Sequence, residues 1–262
     1  MSGDSVLVSA DGGGLATVTL NRPERHNAFD EAMIAELTAA LAGLGADDSI
    51  RMVVLRAAGR SFSAGGDLGW MQRLAGASEA ENRADALRLA ALMRTLDRLP
   101  KPTVAVVRGS AFGGGVGLVA CCDIALAAEG ALFSLSEVRL GLIPAVISPY
   151  VAAAMGERAC RRYFLTAERF SAAEALRLGL LHGVYAEEGL EPAVDAVLKH
   201  LRAGAPQAQA AAKELLFAVA RRPTDEAVIV NTAEAIARCR ASAEGREGIA
   251  AFLEKRPPAW SR

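Results

Sequence analysis

The sequence predicts an α/β protein that ends in a helical extension, and three observations carry that reading. Short runs rich in β-branched residues recur after helical stretches, at residues 50–55 and 103–107, with a further short run at 123–127. The segment between the first two carries apolar residues at helical spacing, and this alternation is the mark of an α/β chain. From Pro206 onward Ala, Leu, Glu and Arg dominate, which favours helix. With 262 residues, 52% hydrophobic and 23% charged, the chain can build a sizeable core, and the patterning divides it at 1–200 and 201–262.

The elements follow in order. Residues 6–9 and 15–20 flank Asp11-Gly12-Gly13-Gly14, a hairpin pattern. Asp30 caps a first helix on which Met33, Ile34, Leu37 and Leu41 share a face, and Gly43 and Gly45 lie near its end. Residues 78–99 form a long amphipathic helix through Leu89, Leu92, Met93 and Leu96, which Pro100 and Pro102 stop. Residues 123–127 and 132–133 give two more strands, and from Ala145 the chain reads as nearly all helix. Pro206 opens one helix to about Ala220, Thr224 caps another through Arg240, and residues 243–255 form the last. No fixed-period repeat is visible.

Composition excludes several functions. Lys plus Arg number 29 and Asp plus Glu 30, so no overall field recruits nucleic acid or an anionic membrane, and 5% aromatic residues offer little base stacking. The uncharged stretch 140–156 contains Pro144 and Pro149 and is shorter than the ~20 apolar residues a spanning helix needs. The first residues carry Asp4 and no long apolar run, so no export is expected. Cys121, Cys122, Cys160 and Cys239 form no CxxC spacing, which fits buried thiols in a reduced, cytoplasmic compartment. No metal-ligand spacing is present, and His26, His182 and His200 are isolated, as surface or structural histidines are.

Two small-residue segments carry the chemistry. Gly109-Ser110-Ala111-Phe112-Gly113-Gly114-Gly115-Val116-Gly117 lies between a strand and an apolar helical run. Amides at a helix start lack intrahelical partners and sit at the positive end of the macrodipole, where they can stabilise a phosphate or a developing oxyanion. Phe62-Ser63-Ala64-Gly65-Gly66-Asp67 is a second such turn, and each turn can contribute one amide. The spacing fits neither GxGxxG nor a P-loop, and each turn alone also fits an ordinary tight turn. Glu137 stands among apolar residues, Phe133, Leu135 and Leu140 included, a setting that fits a perturbed acid/base and also a solvated charge.

The motifs NRPERHNAF (21–29), FSAGGDLGWM (62–71), KPTVAVVRGSAFGGGVGLVACCDIALA (101–127), FSLSEVRLGLIPA (133–145), AERFSAAEALRLGLLHGV (167–184) and AFLEKRPPAW (251–260) occur in this order. Together they resemble the enoyl-CoA hydratase/isomerase, or crotonase, superfamily over nearly the whole chain. The resemblance implies a crotonase-like spiral of ββα units with a C-terminal helical trimerisation region, assembled as a homotrimer or a dimer of trimers. It implies an acyl-CoA substrate, whose thioester oxygen is held by the amides of Gly66 and Gly114, with Glu137 as acid/base. Arg25, Ala64 and Gly65 are the implied contacts to coenzyme A, which arrives on the substrate; no metal or other prosthetic group is expected.

Two departures stand out. Gly117 occupies the place where two-glutamate hydratases carry Glu, and AVISPY (145–150) replaces a glycine-rich segment. The sequence looks most like bacterial hydratases of branched glutaconyl-CoA thioesters, such as 3-methylglutaconyl-CoA or isohexenylglutaconyl-CoA. A Δ3,Δ2-enoyl-CoA isomerase with Glu137 as its one proton shuttle is the alternative. A non-catalytic or RNA-associated scaffold is disfavoured by the charge balance.

Overall fold

The computed structural model describes residues 4–261. Strands β1 (Val6–Ala10) and β2 (Leu15–Leu20) form the expected hairpin, and alternate residues of β2, Ala16, Val18 and Leu20, are fully buried. Helix α1 (Glu31–Ala46) starts where the Asp30 carboxylate accepts from Met33 N at 2.9 Å, and it buries Met33, Ile34, Leu37, Leu41 and Leu44. Next come β3 (Met52–Ala57), β4 (Ser61–Ser63), α2 (Leu68–Ala75) and α3 (Glu79–Asp97). Ser78 and Glu81 form a reciprocal capping box at the start of α3, which satisfies amides that would otherwise lack a partner.

Strands β5 (Thr103–Val107) and β6 (Ser110–Phe112) lead into α4 (Gly114–Cys121), and β7 (Ile124–Ala128) and β8 (Leu132–Ser134) into a 3₁₀ turn at Glu137–Leu140. Then follow α5 (Ser148–Met155), α6 (Glu157–Thr166), β9 (Phe170–Ser171), α7 (Ala172–Arg177) and β10 (Gly183–Tyr185). The expectation of nearly all helix beyond Ala145 holds apart from the short strands β9 and β10, which it did not include. At two and three residues these strands are too short to show a period, and they form because a sheet edge waits for each. The short β4 and β6 escape sequence patterning for the same reason.

A six-stranded sheet has the order β1-β2-β3-β5-β7-β10, parallel except for β1, and a four-stranded sheet has the order β4-β6-β8-β9, parallel except for β9. The pairs β3–β4, β5–β6 and β7–β8 each send their first strand to the larger sheet and their second to the smaller. This is the crotonase-like α/β spiral. It sets β4, β6 and β8 side by side and parallel, so the segments that leave their carboxyl ends begin at the same edge.

The chain forms two compact units: residues up to 99 with 103–194, and residues 100–102 with 195 onward. The division falls inside α8 (Glu187–Ala203). The second unit contains α9 (Pro206–Val219), α10 (Glu226–Ala241) and α11 (Ala243–Leu253). The cap of α10 is Asp225, whose carboxylate accepts from Val228 N at 2.9 Å, and not Thr224. A carboxylate is the better partner for an orphan amide at a helix start. Leu216, Ile229, Val230, Ile236, Phe252 and Leu253 of this unit are exposed. Among the described residues no helix is long and apolar enough to cross a membrane. Cys121, Cys122 and Cys160 are buried, whereas Cys239 is half-exposed, so the burial expected of all four cysteines holds for three.

Candidate active site

The site is built from the segments that follow β4, β6 and β8. After β4 the chain turns at Gly65, whose φ of +89° favours glycine, and Gly66 forms an isolated parallel bridge with Phe29. In that bridge Phe29 N donates to Gly65 O at 2.7 Å and Phe29 O accepts from Asp67 N at 2.8 Å. Parallel pairing of this kind uses the groups on either side of Gly66 and turns the N–H of Gly66 the opposite way. That N–H donates no hydrogen bond among the described residues.

After β6, Gly113 N donates to Ser134 O at 2.9 Å and Gly113 adopts φ +50°, serving as the N-cap of α4 without a side chain to fill that role. The N–H of Gly114, first residue of the helix, is likewise unspent, and it sits at the positive end of α4. The glycines here allow close packing. A Cβ on Gly113 would lie 3.1 Å from Glu137 Oε1 and 3.9 Å from Gly65 Cα, one on Gly114 would lie 2.9 Å from Phe29 Cε2, and one on Gly115 would lie 2.9 Å from Ser63 Cβ. The two glycine turns and Glu137 therefore meet at one place.

Glu137 follows β8 at the head of its 3₁₀ turn. Its Oε2 is buried and has no hydrogen-bond partner. Burial pushes the carboxyl above the ordinary carboxylate range, and its own backbone N–H offsets part of that rise. Phe133 and Leu135 are fully buried nearby in the chain, but Leu140 is 61% exposed and is not part of the burial expected from sequence.

One helical turn beyond Gly113, Gly117 is buried against Ile147. A Cβ there would overlap Ile147 Cγ2 and come within 3.3 Å of Met93 Cε. Ile147 therefore packs on α4 at Gly117, four residues along the chain from the Gly113 cap that faces Glu137 Oε1. The two departures noted in the sequence, Gly117 and AVISPY, are thus one packing arrangement: the space over Gly117 is filled by the isoleucine of that segment.

Comparison with known proteins decides the family. Residues 11–262 match the model of the family described as enoyl-CoA hydratase/isomerase. The chain belongs to the enoyl-CoA hydratase/isomerase family. An enoyl-CoA hydratase from Shewanella pealeana is 47% identical, with 98% of this chain and 96% of that chain covered and a TM-score of 0.95. Pseudomonas aeruginosa AtuE is 39% identical over 98% of this chain and 100% of its own, with a TM-score of 0.94. A crotonyl-CoA hydratase of Syntrophomonas wolfei is 30% identical over 92% of either chain.

In this member of the enoyl-CoA hydratase/isomerase family, the sequence-expected residues divide into two groups. Gly65, Gly66, Gly114 and Glu137 are brought together as described. Arg25 pairs with Asp67: its Nη1 lies 2.9 Å from Asp67 Oδ2, while its side chain stays 57% exposed. The Asp67 carboxylate also accepts from Gly69 N at 2.9 Å and Trp70 N at 3.1 Å at the start of α2, and the Arg25 hydrogen bond, foremost, holds it below the usual carboxylate range. Ala64 is exposed and its N–H is spent on His26 O at 2.9 Å. His26 is a bonded structural histidine, as the sequence leads one to expect: Nδ1 lies 3.0 Å from Ser61 Oγ, and Arg60 Nη2 donates to Nε2 at 3.1 Å.

Sequence reasoning missed Phe29, Asn27 and Ile147. Asn27 is fully buried, donates to Ala58 O and Ser61 O at 2.9 and 2.8 Å, and accepts from Arg22 N at 2.7 Å, which fixes the loop before α1 to β4. An Asn between two polar turn residues and an apolar pair was the only available signal, because its partners lie some thirty residues away.

Proposed function

We propose that this enzyme hydrates an enoyl-CoA, with a branched glutaconyl-CoA such as 3-methylglutaconyl-CoA as the preferred substrate. The observation that carries the reading is the buried, unpartnered Glu137 Oε2 beside two unspent glycine amides. The thioester oxygen accepts hydrogen bonds from the N–H groups of Gly66 and Gly114. As water adds to the β-carbon, enolate charge collects on that oxygen, and amides already fixed in place stabilise it at no cost of reorganisation. Glu137, protonated, gives its proton to the α-carbon. The proton that the water releases passes to the distal carboxylate of the substrate or to solvent, and Glu137 is reprotonated for the next turnover.

The filled space over Gly117 favours a second reading within the same family. With Ile147 where a second carboxylate would have to enter, Glu137 works alone, and isomerisation of a 3-enoyl-CoA needs only one base. The two readings require opposite forms of Glu137. Hydration needs the acid, so kcat/KM falls as pH rises through the Glu137 pKa; isomerisation begins from the carboxylate, so kcat/KM falls as pH drops through it. Incubation with crotonyl-, 3-methylglutaconyl- and 3-enoyl-CoA, with products weighed by mass spectrometry, is expected to show gain of one water from 3-methylglutaconyl-CoA and an alkaline fall in rate. Unchanged mass, a moved double bond and an acid fall would establish the isomerase.

Coenzyme A enters on the substrate, and Arg25, Ala64 and Gly65 are the proposed contacts at its approach. Arg25 is shared with Asp67, so Arg25→Ala is expected to raise KM for the acyl-CoA by about 3- to 10-fold, the worth of one exposed charge-assisted contact, with little change in kcat. An unchanged KM would leave Arg25 as the partner of Asp67 alone. The exposed apolar side chains of α9, α10 and α11 support a homotrimer or a pair of trimers, and four free cysteines fit a reduced, cytoplasmic compartment.

A further inference from the structure

We infer that Phe29 is the positioning residue that holds the two glycine amides in register with each other. This rests on the reading of Gly66 and Gly114 as donors to the thioester oxygen. The two glycines belong to different ββα units; pairing of β4 with β6 brings their turns together, and a residue that touches both turns adds a second restraint on their register. Phe29 does so by two different means. Its backbone forms the bridge that fixes Gly66, through Phe29 N to Gly65 O at 2.7 Å and Asp67 N to Phe29 O at 2.8 Å. Its ring edge closes the open side of Gly114, so near that a Cβ there would meet Cε2 at 2.9 Å and Cδ2 at 3.1 Å.

The support behind Phe29 is rigid. Its side chain is buried in the main core, which limits the freedom of the ring. Asp30, the next residue, caps α1 and is ion-paired with Arg22 Nη1 at 2.6 Å, while Asn27, two residues before, is bonded on three sides. The loop 26–30 is therefore held at both ends, and a shift at Phe29 displaces Gly66 relative to Gly114. Loss of one such donor costs about 10²- to 10³-fold in rate, and a misplacement near 1 Å costs on the order of 10².

The test separates positioning from packing by reading the thioester itself. The carbonyl stretching frequency of bound crotonyl-CoA is recorded by infrared difference spectroscopy in the Glu137→Gln background, where turnover does not interfere. In that reference the band is expected to move to lower frequency on binding. In Glu137→Gln/Phe29→Ala the shift should shrink by about half or more, and Phe29→Ala alone should lose roughly 10- to 100-fold in kcat while KM changes less than about 3-fold. Phe29→Leu, still long enough to reach Gly114, should recover most of both. A folded Phe29→Ala with the full shift and near-normal kcat overturns the inference. If Phe29→Ala does not fold, Phe29→Val, which stops short of Gly114, decides by the same two readouts. A reference that shows no shift at all overturns the donor reading of the glycines, and this inference with it.

Discussion

Glu137→Gln is expected to lower turnover by at least ~10², because the amide keeps the shape of the side chain and removes the proton that either reaction must move. The same substitution is expected to stabilise the fold at neutral pH. Burial raises the carboxyl pKa in the folded protein above the unfolded value of about 4.3. Between those two pKa values the folded state retains a proton that the unfolded state has released, so stability falls as pH rises through that window. Above the folded pKa the cost of the buried charge is fully present. Gln carries no such cost, so its advantage in thermal unfolding should be largest at neutral pH and above and should vanish below pH ~4. Melting curves at pH 7 and pH 4, beside steady-state rates, check both halves. Near-normal rates in a folded Glu137→Gln protein would move the proton transfer to another group. Equal melting temperatures at pH 7 would contradict the burial of the charged form.

Gly117→Glu is expected to destabilise the protein by about 4 kcal/mol or more, from overpacking and from a carboxylate forced among apolar groups. The first added carbon overlaps Ile147 Cγ2 and lies 2.9 Å from Ile147 Cβ. Gly117→Ala isolates the steric part at about 1–3 kcal/mol. Ile147→Ala should relieve it, so that the double variant Gly117→Ala/Ile147→Ala is more stable than the sum of the single effects requires. Denaturant unfolding of the four proteins in the cycle gives the coupling. Additive effects would mean that the two residues do not share the space. The consequence for chemistry is that a second carboxylate cannot be restored at position 117 alone: the isoleucine has to leave first.

The elements that sequence patterning found are those long enough to show a period or carry a local cap. The hairpin of β1 and β2, α1 behind Asp30, α3 behind Ser78 and the central strand β5 all declare themselves within a dozen or so residues. Of the strands that build the site, β8 shows in the sequence and β4 and β6 do not: at three residues each, with unit repeats that begin at irregular intervals, no fixed period marks them. Their existence depends on pairing with each other, which is a property of the assembled sheet.

The sequence by itself determined the family, the α/β class and the residue types of the candidate site: the glycines of the two turns and Glu137. These are legible because their constraints are local. A backbone amide is freed by a glycine at a helix start, and an acid/base must be a titrating side chain. Tertiary structure alone decided which of them lie together and in what surroundings. It set Phe29 against both Gly66 and Gly114, placed Glu137 Oε2 where no partner reaches it, paired Arg25 with Asp67, and closed the space over Gly117 with Ile147. The physical reason is range. Hydrogen-bonding capacity and backbone freedom belong to each residue, whereas burial, pairing and free volume are fixed by neighbours that the chain brings from tens of residues away.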